Sequence, residues 1–174
     1  MCRVDRAVDM ATWRYSTSSA AEMTSESATT DDDHDTLDLC YSELVEYPHD
    51  LLNSCRQLHS LHIANNHITV LPAQVALLNT LVSLDISNNR LKSVADELCS
   101  LQHLRSLVAR NNCLTVESIP KDFGTLPSLA VLNLSGNELT QLPVQFTELP
   151  RLQCLYLGAN QISLVPPEVE NMSK

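Results

Sequence analysis

Apolar residues return at a nearly fixed interval along most of this 174-residue chain. Each return has the form L-x-x-L-x-L-x-x-N-x-L, with Ile, Val or Ala in place of some leucines, and successive strings start 23, 23, 25 and 23 residues apart. The alternation of apolar and variable positions predicts a short β-strand with one buried and one exposed face. Strands repeated at this interval can pair in parallel and form one curved sheet. The strings start at Leu58, Leu81, Leu104, Leu129 and Leu152.

The second half of each repeat returns the chain to the start of the next strand. Proline stands near the beginning of most of these segments, and an apolar residue follows three positions later, as one helical turn with a buried side requires. We therefore expect short α-helical or 3₁₀-helical turns on the convex side of the sheet. A period of this length with this string is the leucine-rich repeat pattern, and it predicts an α/β solenoid of about six repeats. The prolines are Pro72, Pro120, Pro143 and Pro166.

An asparagine occupies the ninth position of every string. At this point the chain leaves the strand and turns inward, where backbone N–H and C=O groups would otherwise lack partners. Because a carboxamide both donates and accepts, we expect each side chain to bond to the turn, and its loss to cost about 1–3 kcal/mol. This structural column consists of Asn66, Asn89, Asn112, Asn137 and Asn160.

The pattern divides the chain into three regions. Residues 1–33 are rich in Ser, Thr, Asp and Glu, lack apolar periodicity, and are expected to be a disordered acidic tail. Residues 34–57 keep only part of the string and are expected to be a degenerate N-terminal capping repeat. Residues 58–174 contain five repeats, at 58–80, 81–103, 104–128, 129–151 and 152–174, and no C-terminal cap. An uncapped last repeat is expected either in a piece of a longer array or in a chain whose open edge pairs with another chain.

Residues 108–172 carry a more specific resemblance. The segments VARNNCLTVESIP, VLNLSGNELTQLP and CLYLGANQISLVPPEVENM resemble the family of leucine-rich repeat-containing protein 58 and, more loosely, the Ras-suppressor and Shoc-type leucine-rich repeat scaffolds. The 25-residue repeat, with residues 115–118 in its loop, is the most distinctive shared feature. The resemblance implies an intracellular interaction module, an adaptor for signalling enzymes or for a ubiquitin ligase, without enzymatic activity of its own.

Charge is distributed unevenly and narrows the class of partner. The formal net charge is −10; residues 1–57 hold 12 acids and 4 bases (−8), and residues 58–174 hold 9 acids and 7 bases (−2). A nearly neutral array is a poor binder of nucleic acid. Thr29 and Thr30 each stand three residues before an aspartate, the spacing preferred by acidophilic kinases, and are candidate phosphorylation sites.

Other features concern the compartment. No apolar run suits a signal peptide or a membrane span. The six cysteines are scattered and match neither a disulfide framework nor a zinc pattern. We therefore expect a cytoplasmic protein, with the nucleus as the alternative, and neither a metal nor another cofactor.

The variable strand positions predict the candidate site. If the sheet lines the inner wall of an arc, the fifth position of every string faces a partner, and Arg110, at a seventh position, projects from small neighbours. We expect a protein partner on this face, and a monomer unless the open C-terminal edge pairs. Assembly through that edge is the alternative function. The candidate contact residues are Asp38, His62, Asp85, Val108, Arg110, Asn133 and Tyr156.

Catalysis is the third alternative. Ser60 and Ser83 flank His62 and Asp85 in the predicted sheet, so a hydrolytic Ser-His-Asp set can be drawn. A flat strand surface, however, offers neither an oxyanion hole nor a pocket that excludes water, so we expect no enzyme.

Overall fold

The computed structural model describes residues 36–49 and 57–173. In this part of the chain, six strands pair in parallel in the order of the sequence, and two further strands form a small second sheet. The predicted solenoid is therefore confirmed. The strands are β1 (Thr36–Asp38), β2 (Ser60–His62), β3 (Val70–Leu71), β4 (Ser83–Asp85), β5 (Ser93–Val94), β6 (Ser106–Val108), β7 (Val131–Asn133) and β8 (Cys154–Tyr156).

The register of the large sheet is constant because every repeat buries the same position. The middle residue of each three-residue strand is a leucine, and it pairs with the leucine of the next strand from Leu37 to Leu155. Leu61, Leu84 and Leu132 are fully buried. Burial of such a side chain contributes about 1.5–3 kcal/mol relative to exposure, so a one-residue slip between strands would lose this at every repeat.

From Ala73 to Ser173 the helices of the return segments on the convex side are 3₁₀-helices, one of the two expected helix types. Proline stands one position earlier than a first-turn residue: Pro72, Pro120 and Pro143 are N-caps with extended ψ angles of 170°, 141° and 127°. Proline's fixed φ suits an extended N-cap as well as a first helical turn. The helices are Ala73–Leu77, Asp96–Ser100, Val116–Ser118, Lys121–Thr125, Val144–Glu148 and Pro167–Ser173.

The 25-residue repeat interrupts the second sheet. Strands β3 and β5 pair in parallel, and farther along Gln141 and Leu164 form an isolated bridge. Between them stands the extra helix Val116–Ser118, which has a capping box: the Thr115 N–H donates to Ser118 Oγ at 3.1 Å. Ser118 Oγ in turn donates to the carbonyl of Lys92 at 2.6 Å. The two additional residues are thus accommodated by a local turn, and the large sheet continues without a change of register.

The core lies between the sheet and the convex helices. Phe123 and Phe146 meet edge to face there, with ring centroids 5.4 Å apart. Burial declines in the repeat that starts at Leu152, where the strand leucine Leu155 is only half-buried. In the same repeat Leu164 and Val165 are 63% and 60% exposed.

Candidate functional site

The fixed register places the fifth position of every string in one lateral row. Asp38 pairs with His62, and His62 pairs with Asp85. The row continues through Val108, Asn133 and Tyr156 on successive strands. Five steps between paired strands give the row a length of about 24 Å. It begins with two acids around a histidine and ends with an aromatic ring, so its two ends differ in chemistry.

Arg110 stands on a floor of small residues. Two seventh-position neighbours, Ala64 and Ser87, are buried, whereas Arg110 is exposed. The backbone of Arg110 is fixed, because its carbonyl accepts the N–H of Asn88 at 2.9 Å. No acidic side chain of the described residues lies within salt-bridge distance of its guanidinium. The side chain can therefore offer its five donors to a partner.

Three members of the row also accept a hydrogen bond from the backbone two residues further along, a role that was not predicted. Asp85 accepts the N–H of Ser87 at 2.9 Å, Asp38 accepts that of Cys40 at 2.9 Å, and Asn133 accepts that of Ser135 at 3.1 Å. These are Asx turns, which fix the exit of the strand. The signal in the sequence is an Asp or Asn two residues before a small residue. Position five therefore serves the strand exit as well as the surface.

These bonds set the charge at the N-terminal end of the row. The Cys40 N–H and then the Cys40 thiol hold the pKa of the Asp38 carboxyl below its ordinary value, and the nearby His62 adds a smaller effect in the same direction. Burial, followed by the hydrogen bond to Asp38, raises the pKa of the Cys40 thiol to about 11. At neutral pH this end therefore presents a carboxylate and a neutral thiol.

The asparagine column supports the concave face through hydrogen bonds to its backbone. Asn112 donates to the carbonyls of Ile86 and Ala109, both at 3.1 Å, and its oxygen accepts the N–H of Leu91 at 3.0 Å. One donor bond therefore stays within the repeat, and the other two bonds reach the preceding repeat. The same three bonds recur at Asn89, Asn137 and Asn160, and Asn66 makes their counterparts at the N-terminal end.

The carbonyls of this column are shared between adjacent repeats. Ile86 O accepts from both Asn89 and Asn112, and Ala109 O accepts from both Asn112 and Asn137. Both lone pairs of each carbonyl are thereby used in a buried place. The result is a continuous ladder of side-chain amides and backbone carbonyls along the array, which makes the sheet face a preformed surface.

The residue before each column asparagine has a left-handed backbone. Its φ lies between 52° and 69° at Asn65, Asn88, Asn111, Gly136 and Ala159. Asn and Gly adopt this region readily, and Ala does so at a cost. This left-handed column was not predicted, although the repeated Asn-Asn pairs indicate it. Asn111 also donates to Asn88 Oδ1 at 2.8 Å, so two of these left-handed residues are linked by their side chains.

The remaining predictions concern a metal site, a membrane span, phosphorylation and the N-terminal regions. Within 36–49 and 57–173, no group of three or more His, Cys, Asp or Glu side chains is placed to hold a metal ion. None of the helices in these ranges has the length and apolar character needed to cross a bilayer. Thr29, Thr30 and the rest of the predicted 1–33 tail lie outside the described residues, as do residues 34–35 and 50–56 of the predicted capping repeat.

Comparisons with known proteins agree with this architecture. A family described as "Leucine rich repeat" matches residues 56–114, and one described as "Leucine-rich repeat region" matches residues 92–174. The leucine-rich repeat-containing protein 58 of Xenopus tropicalis is 39% identical over 90 residues, which are 52% of this chain and 26% of that protein. The resemblance expected from the sequence is confirmed, and the chain matches about a quarter of the length of that relative.

Solved structures share the fold over most of the chain. A leucine-rich repeat protein of Leptospira interrogans has a TM-score of 0.70 at 28% identity, and the match covers 75% of this chain and 32% of that protein. The leucine-rich repeat ectodomain of the receptor kinase GASSHO1/SCHENGEN3 from Arabidopsis thaliana has a TM-score of 0.63 at 32% identity, with 73% and 16% covered. The two family descriptions together span residues 56–174, and over these residues the chain belongs to the leucine-rich repeat family.

Proposed function

We propose that the concave face binds a segment of another protein, and that the chain acts as an intracellular, cytoplasmic adaptor or scaffold without chemistry of its own. The observation that supports this most is the exposed Arg110 above the buried, small Ala64 and Ser87. Tyr156, 51% exposed and two strands away, supplies a second anchor. Arginine and tyrosine are among the residues that most often dominate the binding energy of interfaces.

The rigidity of the face favours this role. The amide–carbonyl ladder fixes the backbone of every strand exit before a partner arrives. A preformed surface loses little conformational entropy on binding, so a few good contacts suffice for affinity.

Related proteins suggest the kind of partner. GASSHO1/SCHENGEN3 was solved in complex with CASPARIAN STRIP INTEGRITY FACTOR 2, and the plant peptide hormone receptor RGFR1, with a TM-score of 0.61, was solved in complex with RGF2. By analogy we propose a polypeptide partner for this chain. The similarity to leucine-rich repeat-containing protein 58 favours an adaptor of signalling enzymes or of a ubiquitin ligase.

Affinity capture from cytosol tests the proposal. The intact chain is compared with an Arg110→Glu, Tyr156→Ala variant and with a control, Lys121→Glu, Val144→Ala, which changes the same charge and one exposed apolar group on the convex helices. We expect partners that the parent and the control retain and the concave variant loses. With a purified partner, the concave variant should raise Kd by at least about 30-fold, equivalent to about 2 kcal/mol. Equal retention by all three chains would reject the concave face.

A second candidate function is assembly through the last described repeat. Leu164 and Val165 are its exposed apolar side chains. If this surface pairs with another copy, sedimentation at about 1–100 μM should show association that Leu164→Asp abolishes. A single monomeric species over that range would exclude this candidate and leave the concave-face proposal untouched.

A further inference from the structure

A cleft of about 370 Å³ lies at the edge of the large sheet, away from the concave row. It is lined by His59, Thr80, Val82, His103, Arg105 and Ser128. Three of these residues directly precede strands: His59 precedes β2, Val82 precedes β4 and Arg105 precedes β6. Because the strands are parallel and in register, the cleft follows the edge at which they begin. No role proposed for the concave face uses it.

This edge carries basic side chains in an otherwise acidic chain. The two positions that flank each opening leucine, from Gln57 to Gln153, include two histidines and two arginines and no acid. His103 and Arg105 are exposed, and both line the cleft. The whole chain has a formal net charge of −10. A cleft lined by an arginine and two histidines, without an acid among its lining residues, favours a ligand that bears carboxylates or phosphates.

In the sequence, carboxylates directly precede β1, and the first residue of β1 lies at this edge. Thr36, the first residue of β1, pairs in register with Ser60, the first residue of β2. The polypeptide therefore enters β1 at the edge where His59 stands. The five residues that precede Thr36 are Asp31, Asp32, Asp33, His34 and Asp35, four of which are acidic.

The distances allow this acidic run to reach the cleft. Three steps between paired strands separate β1 from β6, a distance of about 14 Å. Five extended residues span about 17 Å. Asp31 and Asp32, five and four residues before Thr36, can therefore reach His103 and Arg105 without any change in the described fold.

We propose that residues 31–35 dock in cis along this cleft, with the carboxylates of Asp31 and Asp32 against the imidazole of His103 and the guanidinium of Arg105. The acidic run is then an internal ligand, and any other anionic peptide must displace it. Phosphorylation of Thr30, the adjacent residue, would add about 1.5 to 2 negative charges and strengthen the contact. This interaction is independent of partner binding at the concave face.

A zero-length cross-link tests the proposal on the intact chain. Arg105→Lys keeps the positive charge and supplies an amine that a carbodiimide can join to a carboxylate in direct contact. The matched control is Arg110→Lys, which is also exposed but follows the other end of β6. We expect monomers in which the lysine of Arg105→Lys is joined to Asp31 or Asp32. The yield should be roughly tenfold higher than in the control and should collapse between ~0.01 M and ~1 M salt, as the Debye length falls from about 30 Å to about 3 Å.

Three results would overturn the proposal: no such cross-link, an equal yield in the Arg110→Lys control, or cross-links found only between two copies of the chain. The last result would assign the acidic run to a neighbouring molecule instead.

A second measurement leaves the cleft unmodified. Replacing Asp31, Asp32 and Asp33 by Asn should shift the ring-proton NMR signals of His103. The signals of His67, an exposed histidine in the turn that follows β2, should stay unchanged. Unchanged His103 signals would contradict cis docking even if the Lys variant cross-links.

Discussion

The asparagine ladder predicts that one buried amide controls the stability of the array. Replacement of Asn112 by Ala removes a bond to the N–H of Leu91 and bonds to the carbonyls of Ile86 and Ala109. The two carbonyls each keep one partner, from Asn89 and Asn137 respectively. The N–H of Leu91 donates to no other acceptor of the described residues, so it becomes the buried group without a partner.

The expected loss of stability follows from the contrast between the N–H that loses its partner and the two carbonyls that each keep one. An orphaned buried donor costs about 2 kcal/mol, and each carbonyl that loses one of two bonds costs about 0.5 kcal/mol. We therefore expect Asn112→Ala to lower the free energy of unfolding by about 3 kcal/mol. Asn160 makes the equivalent bonds in the last repeat but is only partly buried. Water can replace its amide there, so Asn160→Ala should cost about 1 kcal/mol.

Urea denaturation followed by far-UV circular dichroism measures both values. With a slope of about 1.5 kcal/mol per molar urea, Asn112→Ala should lower the midpoint by about 2 M. Asn79, exposed beyond the convex helix, provides the control, and Asn79→Ala should leave the midpoint within about 0.3 M. Asn112→Asp retains the acceptor and loses the donors, and it should destabilise the chain at least as much as alanine because a carboxylate would face two carbonyls.

A loss below about 1 kcal/mol at Asn112, or equal losses at Asn112 and Asn79, would refute the reasoning. The apolar core would then hold adjacent repeats together without the amides. Equal losses at Asn112 and Asn160 would show that burial does not set the cost.

Three further predictions concern backbone strain and thiol ionisation. Ala159 has a φ of 55°, so Ala159→Gly should raise the free energy of unfolding by about 0.5–1 kcal/mol in the same urea assay; a loss of stability would contradict the assigned backbone. Gly136 has a φ of 69°, and a Cβ there would collide with Asn111 Oδ1. Gly136→Ala should therefore lower the free energy of unfolding by about 2 kcal/mol or more. Gly158 has open space around its Cα, so Gly158→Ala should change the free energy of unfolding by less than about 0.5 kcal/mol. Burial, followed by the charges of Asp122 and Asp96, raises the pKa of the Cys99 thiol from 9.0 to about 11. The folded state therefore disfavours its thiolate, and the associated stability is complete below about pH 9 and lost as the pH rises towards about 11. Urea titrations at about pH 8 and about pH 10.5 should show a smaller loss in Cys99→Ala than in the parent chain, and an equal loss would contradict this origin.

The strands, their register and the position of the core could be predicted because each follows from one repeated cause. A leucine at the middle of every strand must be buried, and a constant period then fixes its neighbours. The row from Asp38 through His62 to Asp85 follows from that register without further information. The backbone bonds of Asp38 and Asp85 could not be foreseen as readily, because the same side chains also suit an exposed binding surface.

The second sheet and the cleft were missed for a different reason. Strands β3 and β5 have two residues each, too few for an apolar period to identify. The cleft residues vary from one repeat to the next, as His59, Val82 and Arg105 show, so no sequence column marks them. The cleft becomes visible only when the register brings these unlike residues to one edge of the sheet.

The amide ladder also bears on how such an array changes its length. Every partner of Asn89 and Asn112 is a backbone atom. None of these hydrogen bonds therefore depends on which side chains the neighbouring repeat contains. A whole repeat can therefore be duplicated, deleted or exchanged, and the new neighbours meet with all their turn groups bonded. A gene that recombines in units of one repeat would yield folded products at each step, while the exposed row remains free to diverge towards new partners.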